Sequence, residues 1–181
     1  MDEDFRLETE RLRLRPCTAE DADALAPMFA DAEHMRYYPS TYSRKETELW
    51  VQRNLDRYRD EGFGLWVVED RETGEIIGTV GPAVQIVDGV REVEIGWHVR
   101  PGWKGRGIAP EAAAAARDWA FANLDVDHLI SLIRSENEPS ARVAEKIGMR
   151  VDREVDFKGL PHLVYRIDRL SPPGPGEAGT P

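Results

Sequence analysis

The run Val99-Arg100-Pro101-Gly102-Trp103-Lys104-Gly105-Arg106-Gly107-Ile108-Ala109-Pro110-Glu111 holds the residue types most suited to gripping an anion. Glycines let successive backbone N–H groups point into one concavity, and the N-terminus of a following helix adds partial positive charge. Together these make a phosphate-binding loop. Lys104 and Arg106 would supply full charges beside it, and Pro110 suits the first turn of the helix. The same Gly-x-Gly before a helix also serves as a plain tight turn. Neither Gly-x-x-x-x-Gly-Lys-Ser/Thr nor Gly-x-Gly-x-x-Gly with a downstream acid is present. The rest of the chain must therefore decide what the loop binds.

The elements that position the loop are legible from periodicity. Glu92 to Val99 alternates as a strand leading in, and an alanine-rich helix leaves over roughly Glu111 to Leu124. Upstream, Arg11 to Arg15 alternates with leucines inward and arginines outward, a solvated face rather than a binding stripe. Thr18-Ala19-Glu20-Asp21 begins a short helix with Leu25, Met28 and Phe29 facing the core. Ser43-Arg44-Lys45-Glu46 is a capping box for a second helix that buries Trp50, Val51, Leu55 and Tyr58. Between them, the aromatic segment Glu33 to Pro39 either lines an acceptor pocket or packs the helix pair onto the sheet. Leu65–Glu69, Glu75–Val80, Val84–Val87 and Val90–Val99 read as a meander, with Asp88-Gly89 as a hairpin turn. Leu129–Arg134, a helix capped by Asn137 and ending near Gly148, and a strand pair over Val151–Phe157 and Leu163–Asp168 complete the order. The expected fold class is a single mixed α/β (α+β) domain over residues 1–170, with a mostly antiparallel central sheet flanked by helices. The Pro/Gly-rich segment 171–181 is expected to be disordered.

With 181 residues, 41% apolar and 32% charged, the chain fits one soluble domain with a sizeable core. Acidic residues exceed basic ones by 34 to 24, a net charge of −10, which disfavours nucleic-acid coating. The same charge favours a cationic substrate or merely solubility. Cys17 is the lone cysteine, so neither an intrachain disulfide nor a cysteine metal cluster is expected. His34, His98, His128 and His162 lack ligand spacing, so no metal is expected. The absence of a signal peptide and of a membrane-length apolar run gives a cytoplasmic expectation with no membrane partner.

In this order the segments resemble the GNAT N-acetyltransferase superfamily. Lys104-Gly105-Arg106-Gly107-Ile108-Ala109 is similar to its acetyl-CoA motif Gln/Arg-x-x-Gly-x-Gly/Ala, with lysine at the first position. Thr9 to Arg15, Glu94-Ile95-Gly96-Trp97 and Asn137 to Met149 resemble the ribosomal-protein N-terminal (serine/alanine) acetyltransferase branch. The matches run from about Glu8 to Arg169. The resemblance implies a GNAT fold and acetyl transfer from acetyl-CoA to a primary amine, of a protein N-terminus or a small molecule, by direct attack. It implies backbone contacts to the pantetheine arm from Trp97, His98 and Val99, and pyrophosphate on the amides from Lys104 to Ala109. It adds a pantetheine contact from Asn137, which is in any case a helix N-cap, and a role for Ser140 in protonating the leaving thiolate or binding the cofactor. Arg142 and Lys146, on successive turns, reach cofactor phosphates or remain solvated. A homodimer enters by analogy alone.

The reaction needs a proton acceptor, and Glu94 is the candidate. It shares a strand face with Glu92, Gly96 and His98, opposite Val93, Ile95, Trp97 and Val99. The competing readings are an ion-paired glutamate and His98 as base. Tyr165 is expected in the core. An α-amine, with a pKa of about 8, is roughly a tenth neutral at pH 7, whereas a lysine amine at about 10.4 is neutral in well under one part in a thousand. A lysine or polyamine acceptor would thus lean on Glu94 more heavily. The acceptor groove is expected between the first two helices and the last strand pair. The alternative is a non-catalytic CoA-binding module of the same fold, favoured if Glu94 is locked in an ion pair and no groove opens beside the loop.

Overall fold

The computed structural model describes residues 5–170; the tail 171–181, expected to be disordered, lies outside the described residues. Alternation and capping dictate the first elements. β1 (Leu7–Glu8) and β2 (Leu12–Pro16) pair antiparallel, with Leu12 and Leu14 fully buried. The outward arginines are not merely solvated: Arg15 spans Asp21 and Glu69 at 2.8 and 2.7 Å. After a 3₁₀ turn at Ala19–Asp21, α1 (Ala22–Ala30) buries Leu25, Met28 and Phe29 as expected. α2 (Arg44–Asp60) opens on the Ser43/Glu46 capping box and buries Trp50, Val51 and Tyr58, while Leu55 stays half-buried. It also buries Asn54 completely. Its side chain accepts from Leu65 N–H at 3.2 Å and donates to the Trp50 carbonyl, fastening α2 to the sheet.

β3 (Trp66–Asp70), β4 (Ile76–Val87) and β5 (Val90–Val99) form the meander. The expected separate strands at Glu75–Val80 and Val84–Val87 are one, running through Gly81-Pro82. β3 ends at Trp66 opposite Val80, so from Gly81 on that edge of β4 has no ladder partner and Pro82's missing N–H forfeits no bond there. β4 and β5 stay in register from Gly78↔Val99 to Val87↔Val90. α3 (Ile108–Asn123) begins three residues before the expected Glu111 and places Pro110 within its first turn. Fully buried Ala112, Ala113, Ala116 and Ala120 let it settle closely against β2, β4 and β5. β6 (His128–Arg134), α4 (Glu138–Lys146), β7 (Arg150–Phe157) and β8 (Leu160–Asp168) complete the chain.

The eight strands form one sheet in the order β1-β2-β3-β4-β5-β6-β8-β7. Every pairing is antiparallel except β5–β6, which is parallel and meets at a single registered pair, Glu94↔Ile130. Beyond it the two strands diverge. Side chains bridge the opening: Ser131 Oγ donates to the Ile95 carbonyl at 2.7 Å, and Leu132 N–H donates to Glu94 Oε1 at 3.2 Å. That opening in mid-sheet positions the site. Among the described residues, no helix is long and apolar enough to cross a membrane.

Candidate active site

Two cavities meet at the β5–β6 opening. The first, about 400 Å³, is bounded by the loop after β5 and the start of α4. Gly105 and Gly107 hold φ near +78° and +79°, the left-handed region where a side chain is strained. Among the described residues, the amides of Gly105, Arg106 and Gly107 donate to no backbone carbonyl. Those of Ile108 and Ala109 fall in the first turn of α3, where no intrahelical acceptor exists. A run of unspent donors at a helix start is a cradle that an anion fits, as the sequence suggests for the pyrophosphate of acetyl-CoA. Lys104, Gly105, Gly107, Ile108 and Ala109 line the cavity, whereas the Arg106 guanidinium stacks over the Trp103 ring, 4.8 Å from its centroid. The loop is braced from β2's approach. Arg11 donates to the Arg106 carbonyl at 2.9 Å and to Glu111 at 2.7 Å, and Glu111 also accepts from Thr9 Oγ1 at 2.6 Å.

Trp97, His98 and Val99 line this cavity from β5. Their ladder partners are on β4, so the edge facing β6 is left unpaired. Across the cavity, Asn137 caps α4 by accepting from Ser140 N–H at 3.2 Å. The Ser140 hydroxyl makes no hydrogen bond among the described residues. Arg142 and Lys146 also line the wall, Arg142 sharing its charge with Glu138 at 3.2 Å.

The second cavity, about 370 Å³, opens on the other side of the seam. Trp97, His98, Asn137 and Ser140 line both cavities, as do Tyr37 and Tyr38. Its remaining walls come from α2, β4, β5, the end of β6 and the β7–β8 turn. A cavity thus opens between α2 and the last strand pair; α1 itself contributes no lining residue, and the segment after it, with Tyr37 to Tyr42, does so instead. Glu94 faces this second cavity. It is bound by Gln85 Nε2 at 2.7 Å and by Leu132 N–H, and among the described residues no cation lies within ion-pair distance. Burial raises its carboxyl above the usual carboxylate range, against the lowering pull of those two bonds.

His98 sits at the seam in a chain of polar contacts. Its Nδ1 lies 3.2 Å from His34 Nε2, and its Nε2 lies 3.4 Å from the Tyr38 hydroxyl. Burial, then the nearness of His34 and Lys104, lowers the His98 imidazole to about 3. Burial and Lys104 lower His34 to about 4, against the opposing pull of Asp31. Both rings are neutral at physiological pH, which makes His98 a weak proton acceptor and leaves Glu94 the stronger one. His34 Nδ1 is buried without a partner. A lone pair is easier to strand than an N–H. That favours His34 Nε2–H donating to His98 and His98 Nε2–H donating to Tyr38, leaving the Tyr38 proton for the cavity.

Tyr165 is buried on β8, as expected. Sequence reasoning did not single out Ser131, Gln85, Arg53, Arg57, Arg134 or Lys158. No local motif marks them, because each reaches the site through the pairing of distant strands or the docking of α2.

Comparison with known proteins agrees with this geometry. Residues 11–150 match the family model described as an acetyltransferase (GNAT) domain. The uncharacterized protein YkkB of Bacillus subtilis (strain 168) is 35% identical over 162 residues, covering 88% of this chain and 94% of that one. The crystal structure of an acetyltransferase from Agrobacterium tumefaciens str. C58 superposes with a TM-score of 0.79 at 34% identity, covering 93% of this chain and 97% of that chain. A ribosomal-protein-S5-alanine acetyltransferase from Vibrio fischeri shares the fold, with a TM-score of 0.72 at 19% identity over 91% of this chain and 97% of that one.

Proposed function

The chain belongs to the acetyltransferase (GNAT) family, and on that premise we propose that its two cavities are the donor and acceptor halves of an N-acetyltransferase site. Acetyl-CoA supplies an acetyl group activated as a thioester. The amides from Gly105 to Ala109, helped by Lys104, would hold its pyrophosphate, with Arg142 and Lys146 at the wall. The unpaired edge of β5 at Trp97, His98 and Val99, together with Asn137, would hold the pantetheine arm across the seam.

Glu94 takes the proton that the attacking primary amine must lose. Its raised pKa brings it closer to that of the amine, which is what efficient proton transfer asks of a base. Ser140, with an uncommitted hydroxyl lining both cavities, is placed to donate to the departing sulfur. The acceptor is a primary amine of a small molecule or of a protein N-terminus.

One observation carries this reading: the anion cradle and the half-buried Glu94 carboxylate line two cavities that meet at one seam in the sheet. The non-catalytic reading would be favoured by Glu94 in an ion pair and no groove; among the described residues Glu94 has no ion-pair partner and a cavity opens beside it, which supports the catalytic reading. Calorimetric titration with acetyl-CoA, followed by thiol release over a panel of primary amines, tests the proposal. Binding with amine-dependent thiol release is expected. Binding with no release on any amine would return the non-catalytic module.

A further inference from the structure

The acceptor cavity carries the opposite charge to the molecule around it. The chain is acidic by −10, yet this cavity is lined by Arg53, Arg57, Arg134 and Lys158. Glu94 is the one carboxylate among its described lining residues. Most arginines elsewhere on this surface are matched with carboxylates, as at Arg13–Glu8, Arg44–Asp23 and Arg59–Asp56.

Inside the cavity the matching lapses. Among the described residues, Arg53 and Lys158 have no carboxylate partner. Lys158 Nζ instead rests over the Phe157 ring, 4.8 Å from its centroid. Arg57 bonds only the neutral Asn54 amide oxygen, at 3.1 Å, although a guanidinium has five N–H donors. Arg134 does pair with Glu136, but its Nε is buried with no partner. Arg53 and Arg57 are also four residues apart on one helix, a spacing at which like charges repel. Burial, and then Arg53, work against the charge on Arg57, with Glu94 and Tyr58 pulling the other way and burial prevailing. Three separate segments therefore bring unspent donors to one cavity, and an anion is what would satisfy them.

From this arrangement we infer that the acceptor is a small amine that also carries an oxyanion, a carboxylate or a phosphate, held by Arg53, Arg57 and Lys158 while its amine faces Glu94. The inference rests on the acetyl-transfer reading for the amine and on the cation cluster alone for the anion. It favours the solubility reading of the net acidity over a cationic substrate, since a polyamine would meet like charge on most sides of this cavity. A volume of about 370 Å³ suits a small ligand.

Matched acceptors test it. β-Alanine is compared with β-alaninamide, O-phosphoethanolamine with ethanolamine, and spermidine serves as the polycation; kcat/KM is read by thiol release. Independently of turnover, calorimetry measures how tightly each pair's N-acetylated products bind the CoA-loaded protein. The anionic member of at least one pair is expected to win by roughly tenfold or more in both readouts, as charge-assisted hydrogen bonds imply. Which pair responds identifies carboxylate or phosphate. The double variant Arg53→Gln/Lys158→Gln should erase the preference with acetyl-CoA affinity retained; both sites are exposed, so the fold is expected to survive. Equal or better use of the neutral member in both pairs, or better use of spermidine than of either anion, would overturn the inference, as would a preference that survives in the variant. Anion-dependent product binding without turnover of any amine would count against acetyl transfer and leave the anion site standing. The absence of both turnover and anion-dependent product binding would overturn the anion site outright.

Discussion

The cavity proposed for the acetyl donor and the one proposed for the acceptor share six lining residues and differ in almost everything else. The donor side is built largely from backbone: five successive amides, two left-handed glycines, one helix start and one unpaired strand edge. Its side chains are lightly committed, and one expected contributor, Arg106, stacks on Trp103. The acceptor side is built from side chains delivered by β4, β5, α2, β6 and the β7–β8 turn. A backbone site recognises what every member of a family must bind. A side-chain site can change its ligand by point substitution while the sheet stays as it is.

If that contrast is right, the two halves should fail separately. Glu94→Gln is expected to have the largest effect, lowering kcat by roughly 10²- to 10⁴-fold with acetyl-CoA affinity kept. In the parent enzyme the acid limb of the pH–rate profile should lie above the ordinary carboxylate range, because burial raises Glu94. Gln85→Ala removes a bond that holds this pKa down, so it should move the limb further toward alkaline pH. An unmoved limb in both variants would remove Glu94 as the base.

Gly107→Val should act on the other half, weakening acetyl-CoA binding by roughly 10- to 100-fold, since it must hold a branched side chain at φ +79°. Unchanged affinity by calorimetry would sink the loop assignment, and an altered preference among amines would blur the separation of the halves.

The smallest effect tests the seam. His34 is held near 4 and His98 near 3, both below the ordinary imidazole value of about 6.5, so the folded state binds fewer protons than the unfolded chain across that interval. Their contribution is complete above pH 6.5 and is lost as pH falls toward 4 and below. Thermal stability should drop over that window, and His34→Gln should flatten the drop. A slope unchanged by the substitution would assign the acid sensitivity to other groups.

Much of this was readable in the residues. Alternation at Arg11–Arg15, the Ser43 capping box, the alanine stripe of α3 and the Asn137 cap are local devices, so they announce their elements without help. The same holds for the anion cradle, where glycine spacing and a helix start stand next to each other in the chain. The reading failed where neighbours decide. Pro82 is harmless only because β3 stops short, and Arg15 is an ion-pair partner rather than a solvated face because Asp21 and Glu69 arrive beside it.

The sequence by itself therefore determined the order of elements and set glycines directly before a helix start, because short-range periodicity and backbone chemistry are written in consecutive residues. Only the tertiary structure decided that Glu94 is half-buried with no ion pair among the described residues, that burial lowers the His98 imidazole, and that an acidic chain carries a cavity lined by four cationic side chains. Burial and the pairing of charges depend on contacts between residues tens of positions apart, and no local pattern encodes them.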